Sequence, residues 1–181
     1  LVGRITYINV TKGSKYTKLV LNQKIYDSKT IPYKRGDILD RNGTKIATSE
    51  RVYNVILDVV VMTDKEEYID PTIKVLNKCF GISEKTVREI VEEKPNSRYV
   101  ILKKGIDYET AQKYNEIKND TENYPNVKGI WLEDDYNRTY PYNTLASDVI
   151  GFTYSGNIGA IGIESAYNDV MTGTDGREYG Y

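Results

Sequence analysis

The sequence predicts an α+β fold, and three observations carry that reading. The first is the run 52–61, whose Val55, Ile56, Leu57, Val59 and Val60 make it the most β-branched stretch of the chain and too poor in polar residues for a surface strand. The second is a set of three helical stripes between Asp70 and Ile117, each with its own start signal. The third is a pair of further strand-like segments, 98–102 and 127–132, set among and after these stripes.

Taken in order, residues 2–10 alternate as a strand would and end at Lys12-Gly13-Ser14, after which Tyr16, Leu19, Val20 and Gln23 fall at helical spacing. Ile38-Leu39 and Lys45-Ile46-Ala47 flank Asn42-Gly43, a strong turn signal, so a hairpin is expected there. The run 52–61 is expected as one central strand. Asp70 then caps a helix with Pro71 at its first position, Ile73, Leu76 and Phe80 in its stripe and Gly81 at its end. Ser83 caps the next, whose Val87, Ile90 and Val91 face inward until Pro95 forbids continuation. A strand at 98–102 precedes a third helix that starts at Asp107, carries Ala111, Tyr114 and Ile117, and dissolves in the polar residues 119–123. The strand 127–132, with the single tryptophan Trp131, leads into an acidic turn, Glu133-Asp134-Asp135. Gly162-Ile163-Glu164 opens a last helix with Ala166, Tyr167 and Val170 on one face and Gly173 as its stop. The span 52–124 reads as a compact α+β lobe.

Composition removes several function classes. With 25 basic and 26 acidic residues the formal charge is −1, so the chain lacks the electrostatic footprint of a nucleic-acid or anionic-membrane binder. Histidine is absent, which excludes Ser-His-Asp and Cys-His catalysis and His-ligated metals. Cys79 is the only cysteine, so no intrachain disulfide forms. No apolar run approaches the ~20 residues that span a bilayer. The chain begins at Leu1 rather than Met and is expected to be a segment of something longer.

Three stretches concentrate arginine, acid and glycine. Arg35-Gly36-Asp37-Ile38-Leu39-Asp40-Arg41-Asn42-Gly43 sets Arg35, Asp40 and Arg41 close to apolar positions, where an unpaired charge is costly, so these are expected to pair with distant groups. The candidates lie in Arg138-Thr139-Tyr140-Pro141, which leads into Leu145-Ala146 and Ile150-Gly151-Phe152, and in Gly159-Ala160-Ile161-Gly162-Ile163-Glu164. Arginine suits partly buried bidentate pairing, so Arg41, Arg138 and Glu164 are expected to share one cluster that fixes geometry rather than catalyses.

In this order the stretches resemble the N-terminal non-catalytic domain, called the dimerisation or pedestal domain, of class B penicillin-binding proteins. The first follows that family's Arg-Gly-x-Ile-x-Asp-Arg-Asn-Gly, the second its Arg-x-Tyr-Pro, the third its Gly-x-x-Gly-x-Glu before Tyr167-Asn168. The likeness covers nearly the whole chain; Asn143 departs from it, standing where the family usually has glycine. Onto this sequence the resemblance carries a structural motif set of Arg35, Gly36, Asp40, Arg41, Asn42, Gly43, Arg138, Tyr140, Pro141, Gly159, Gly162 and Glu164. It implies an elongated, two-lobed pedestal with a discontinuous base, about residues 1–50 and 127–181, and an inserted head, about 51–126. It also implies a parent held at the extracytoplasmic face of a bacterial membrane by a preceding helix and followed by a D,D-transpeptidase domain that cross-links peptidoglycan. The partners implied are that transpeptidase domain and a membrane glycan polymerase, with a homodimer left open; no cofactor, metal or nucleic acid is implied.

Catalysis within the chain itself is not expected. Acylation in this family needs Ser-x-x-Lys, which occurs nowhere in the sequence, and Ser155-Gly156-Asn157 alone is a stray match to a later motif. A calcium loop over Asp40, Asn42 and Gly43 fails at its anchoring positions, which would be Ile38 and Ser49. The competing reading is a secreted carbohydrate-active domain that uses Glu133, Asp135 or Asp40 as paired carboxylates.

Overall fold

The computed structural model describes residues 28–142, 147–154 and 157–179. The strand expected at 2–10, the helix at 16–23 and Asn143 lie outside the described residues.

The chain divides into two compact units. The smaller takes residues up to Tyr33 and from Thr174 onward, where β1 (Ser28–Ile31) pairs antiparallel with β8 (Gly176–Tyr179). The Tyr33 N–H donates to Asp175 Oδ1 at 2.9 Å beside this ribbon.

The larger unit, residues 34–173, is α+β. Its strand β2 (Ile38–Leu39) turns through Asn42-Gly43 into β3 (Lys45–Leu57), the hairpin expected from the sequence. The long strand β3 is the spine. It pairs antiparallel with β4 (Val100–Ile106) over its second half and with β5 (Ile130–Thr139) from Thr48 to Leu57. One face of this sheet carries Val55, Leu57, Val100, Ile106 and Ile130 into a core completed by α1 (Val59–Thr63), α2 (Glu66–Phe80), α3 (Glu84–Glu93) and α4 (Tyr108–Asn119). Phe80 and Tyr114 meet with ring centroids 5.4 Å apart, and the Tyr114 hydroxyl donates to the Ile130 carbonyl at 2.7 Å. Burying an aliphatic side chain such as Leu76 here stabilises by about 2–3 kcal/mol.

Local chemistry explains where the expected elements held and where they moved. Ser83 and Asp107 each accept the N–H three residues on, as N-caps do, and Gly81 ends α2 in the left-handed conformation. The β-branched run does not stay extended to residue 61: Asp58 accepts the Val61 N–H and starts α1, so Val59 to Val61 are helical. Helix α2 starts at Glu66, which places Pro71 inside it rather than at its first position. The acidic residues 133–135 are not a turn but the middle of β5. Arg51 and Asn54 on β3 hold Asp134 and Asp135 there, and Tyr99, just before β4, holds Glu133.

The third motif closes the unit. After α5 (Ser147–Ile150) a small hairpin forms from β6 (Thr153–Tyr154) and β7 (Ile158–Gly159), followed by α6 (Gly162–Ala166) and α7 (Asn168–Met171). The single last helix expected from the sequence is thus two short ones, broken at Tyr167. Ala166, Tyr167 and Val170, expected to share one face, are all exposed.

Candidate functional site

Glu164 sits in the first turn of α6 with no exposed surface, at the centre of the most polar buried cluster of the larger unit. Two glycines allow the backbone that places it. A Cβ on Gly159 would lie 1.9 Å from the Glu164 carbonyl oxygen, and Gly162 holds φ +63° with a Cβ position 2.5 Å from the Val149 carbonyl. The Gly-x-x-Gly-x-Glu spacing is therefore what lets β7 and α6 touch.

Both carboxylate oxygens are taken by arginine. Arg35, also without exposed surface, donates Nε to Glu164 Oε2 at 2.8 Å and Nη2 to the Glu164 carbonyl at 2.8 Å. Its Nη1 donates to the Asn157 carbonyl, Asn168 Oδ1 and Thr172 Oγ1, each at 3.0 Å. Arg138, on β5, donates Nε to Glu164 Oε1 at 2.8 Å and Nη1 to the Gly36 carbonyl at 2.8 Å and Ser49 Oγ at 3.3 Å. Its Nη2 is buried without a hydrogen-bond partner among the described residues. Tyr140 completes the acid's shell, donating to Glu164 Oε1 at 3.3 Å and accepting the Thr153 N–H at 3.1 Å. Burial pushes the Tyr140 hydroxyl's pKa up, so it stays protonated as a donor.

Two guanidinium groups against one carboxylate leave an excess positive charge, which the Asn157, Gly36 and Glu164 carbonyl dipoles offset. The Gly36 N–H in turn donates to the Met171 carbonyl at 2.9 Å, so the start of the first motif is bonded to the end of α7, beyond the third.

The structure brings together Arg35, Gly36, Arg138, Tyr140, Gly159, Gly162 and Glu164. It does not bring Arg41, which the sequence reading placed in this cluster. Arg41 is exposed at the tip of the β2–β3 turn, where its side chain faces solvent, and Arg35 takes its place on Glu164. Asp40 likewise finds local rather than distant partners, accepting the Asn42 N–H at 2.7 Å and the Thr44 N–H at 2.8 Å. With Asn42 and Gly43 it shapes the turn. Pro141 is exposed next to Tyr140. Sequence reasoning missed Ser49, Asn157, Asn168 and Thr172. The one available signal was Asn168 directly after the third motif, four residues before Thr172.

The carboxylates of the competing reading are occupied. Glu133 accepts from the Tyr99 hydroxyl at 2.7 Å and Trp131 Nε1 at 3.0 Å, and Asp135 accepts from Asn54 Nδ2 at 2.8 Å. Glu164, among the described residues the one buried acid held by two guanidinium groups, has no exposed surface through which to meet a substrate.

A buried ion cluster ties stretches of the larger unit more than 100 residues apart to one another, and defines an α+β module built around the Arg35–Glu164–Arg138 trio. The chain belongs to the penicillin-binding protein dimerisation domain family, whose model matches residues 30–180. It is 25% identical to the peptidoglycan D,D-transpeptidase FtsI of Buchnera aphidicola over 98% of this chain and 30% of that protein. Among solved structures it is similar to penicillin-binding protein 2X of Streptococcus thermophilus, with TM-score 0.62 and 26% identity over 83% of this chain and 24% of that one. A second is the complex between a penicillin-binding protein and MreC of Helicobacter pylori, with TM-score 0.59 and 26% identity over 83% of this chain and 30% of that one. The chain thus spans less than a third of these proteins, and corresponds to a non-catalytic region of D,D-transpeptidases.

Proposed function

We propose that the chain is the pedestal of a bacterial class B penicillin-binding protein, positioning a D,D-transpeptidase domain for peptidoglycan cross-linking and offering surfaces to partner proteins. The observation that carries this is the convergence of three motifs, separated by up to 129 residues, on one buried Arg35–Glu164–Arg138 cluster. Such a cluster sets the geometry of a scaffold and leaves chemistry to another domain. In this reading the base comprises about residues 1–50 and 127–181 and the head about 51–126, together an elongated two-lobed body. The reading gains support from the core, whose buried members run from Val55 to Ile130 and so lie almost wholly within the head segment.

The parent is placed at the extracytoplasmic face of the membrane, anchored by a preceding helix; among the described residues no helix is long and apolar enough to cross a membrane. Partner binding draws support from the Helicobacter pylori complex, in which a protein of this fold is bound to MreC. A membrane glycan polymerase and a second copy of the chain are further partners of the proposal.

Fluorescent penicillin tests the division of labour. The full-length protein is expected to be covalently labelled and this chain is not; stable labelling of this chain would overturn the reading. Replacing residues 30–180 of the full-length protein by an unrelated domain of similar size should preserve labelling and abolish support of growth. Normal growth would show that nothing is positioned.

A further inference from the structure

The sheet of the larger unit has a second face, and its two longest strands sort their charges by face. Where β3 and β5 pair, from Thr48 to Leu57 and from Ile130 to Thr139, the register is regular, so alternate residues point to opposite sides. Arg51 and Arg138, the two cations of this stretch, fall with Asp134 on the side of Val55, Leu57 and Ile130. Glu50, Glu133 and Asp135 fall on the other, with Ile56 and Trp131. The helices complete the core on the first side. Ile56, although fully buried, has no place in that core and lies between Ile101 and Trp131 across the ladder.

Beside Ile56 two aromatic side chains form a fixed ledge. Tyr99 and Trp131 meet with ring centroids 6.2 Å apart, and Glu133 takes the polar hydrogen of both, accepting from the Tyr99 hydroxyl on Oε2 and from Trp131 Nε1 on Oε1. Asp135 stands two residues further along the same face, bonded to Asn54 Nδ2 at 2.8 Å. Burial first, then Glu133 and Asp135, push the Tyr99 hydroxyl up to about 12, so it remains a donor at neutral pH. A phenol O–H and an indole N–H that both donate to a carboxylate leave their rings electron-rich, which strengthens the negative ring faces. Tyr99 is nevertheless 52% exposed, and Ile101 39%.

We propose that this ledge receives an arginine or lysine side chain of a separate partner protein, its charged head over the Tyr99 and Trp131 rings and its methylene stem along Ile101. The proposal gives a chemistry to the partner surface of the pedestal reading above and rests on that reading. Charge selects the occupant. This side of the β3–β5 pair carries three acids and no cation, so a cationic group is drawn to it, whereas an anionic partner, a nucleic acid or an acidic lipid surface is repelled. Arginine gains most, since its planar guanidinium stacks on a ring while its N–H groups reach the remaining lone pairs of Glu133 and Asp135. Because Glu133 fixes both rings before any partner arrives, little rotamer freedom is lost on binding. Shielding Ile56 would need apolar side chains alone and gives no reason for acids beside them.

Trp131 is the only tryptophan of the chain, so its fluorescence reports on the ledge directly. The probe is a short blocked peptide of alternating arginine and alanine, compared with the same peptide carrying glutamine for arginine. The arginine peptide is expected to change the Trp131 emission saturably and to bind at least about fivefold more tightly than the glutamine peptide. Glu133→Gln should remove most of that preference; where this variant fails to fold, Asp135→Asn carries the same expectation. Glu84→Gln, which takes one exposed acid from α3 instead, should leave binding unchanged. Equal binding of the two peptides, or an equal loss in Glu84→Gln, would overturn the proposal, and labelling of the full-length protein by fluorescent penicillin would then leave the pedestal reading standing. Failure of that labelling would remove the pedestal reading and this proposal with it. A response to a neutral chitin oligosaccharide and not to the arginine peptide would assign the ledge to a glycan. An emission shift that follows protein concentration without peptide would assign it to a second copy; either result overturns the proposal.

Discussion

Arg35 grips Glu164 twice, by its side chain and by its backbone: Nε reaches the carboxylate Oε2 and Nη2 reaches the carbonyl oxygen of the same residue, each at 2.8 Å. The guanidinium thus fixes both the rotamer of the acid and the position of the helix turn that bears it. Because Arg138 holds the other carboxylate oxygen, no single residue of the trio can be altered without stranding a buried group.

Glu164→Gln is accordingly expected to destabilise the chain by ~3–5 kcal/mol, since the amide presents an N–H to one of two buried guanidinium groups. Urea unfolding of the chain measures it. A loss within ~0–1 kcal/mol, the worth of an exposed pair, would mean that water reaches the cluster and solvates what is left.

The glycines divide by what surrounds them. Gly159→Ala drives a methyl against the Glu164 carbonyl carbon, 2.3 Å from the Cβ position, where only backbone could yield, and is expected to cost at least ~3 kcal/mol. At Gly36 the nearest atom to a Cβ is 3.5 Å away on Met171, an ordinary contact, so Gly36→Ala is expected to stay within ~1 kcal/mol of the parent. Thermal unfolding of the two variants checks the contrast. Equal losses would mean that the β7–α6 approach is not as tight as described.

What the sequence revealed follows the range over which each signal acts. The caps at Ser83, Gly81 and Asp107 are local chemistry and read correctly, as did the hairpin at Asn42-Gly43. Asp58 was equally local, but the β-branched residues after it masked the cap, because tertiary burial tolerates Val59 and Met62 in a short helix. The strand through Glu133, Asp134 and Asp135 depended on partners some 34 to 83 residues away, which no local pattern contains. The cluster was legible as three motifs but not as an assignment of arginines. Arg35 and Arg41 are alike in sequence, and only the turn around Asp40 decides which one points inward. Asn157, Asn168 and Thr172 carry no charge to advertise a buried role.

Pro71 offers a gain in stability. As the sixth residue of α2 it cannot donate to the Glu67 carbonyl, a defect of up to ~3 kcal/mol in a helix interior relative to alanine. Against this, proline restricts the unfolded chain by about 0.4–1 kcal/mol. Pro71→Ala is therefore expected to raise stability by ~1–2 kcal/mol. The buried neighbour Thr72 must keep its hydroxyl contact with the Lys128 carbonyl, 3.2 Å in the parent. A lower urea midpoint would show that the proline sets a bend on which this packing depends.

Asp40 should confer a pH dependence of known sign. Its carboxylate accepts the Thr44 and Asn42 N–H groups, the Thr44 bond being the larger cause, and these hold its pKa below the ordinary 3.8. A carboxyl whose pKa is lower in the folded than in the unfolded chain adds stability that is fully present above the unfolded value and is lost as pH falls through the folded one. Asp40→Ala is thus expected to be less stable than the parent at neutral pH, with the gap narrowing as pH falls below the ordinary carboxyl value and through the lower folded one. Asp40→Asn keeps an oxygen able to accept both N–H groups and should lose less at neutral pH while escaping the acid-range narrowing. Urea midpoints of the three proteins across the acid range, with an NMR titration of the Asp40 carboxyl, measure this. A gap between Asp40→Ala and the parent that stays constant with pH would show that the residue acts through the shape of the turn and not through its charge.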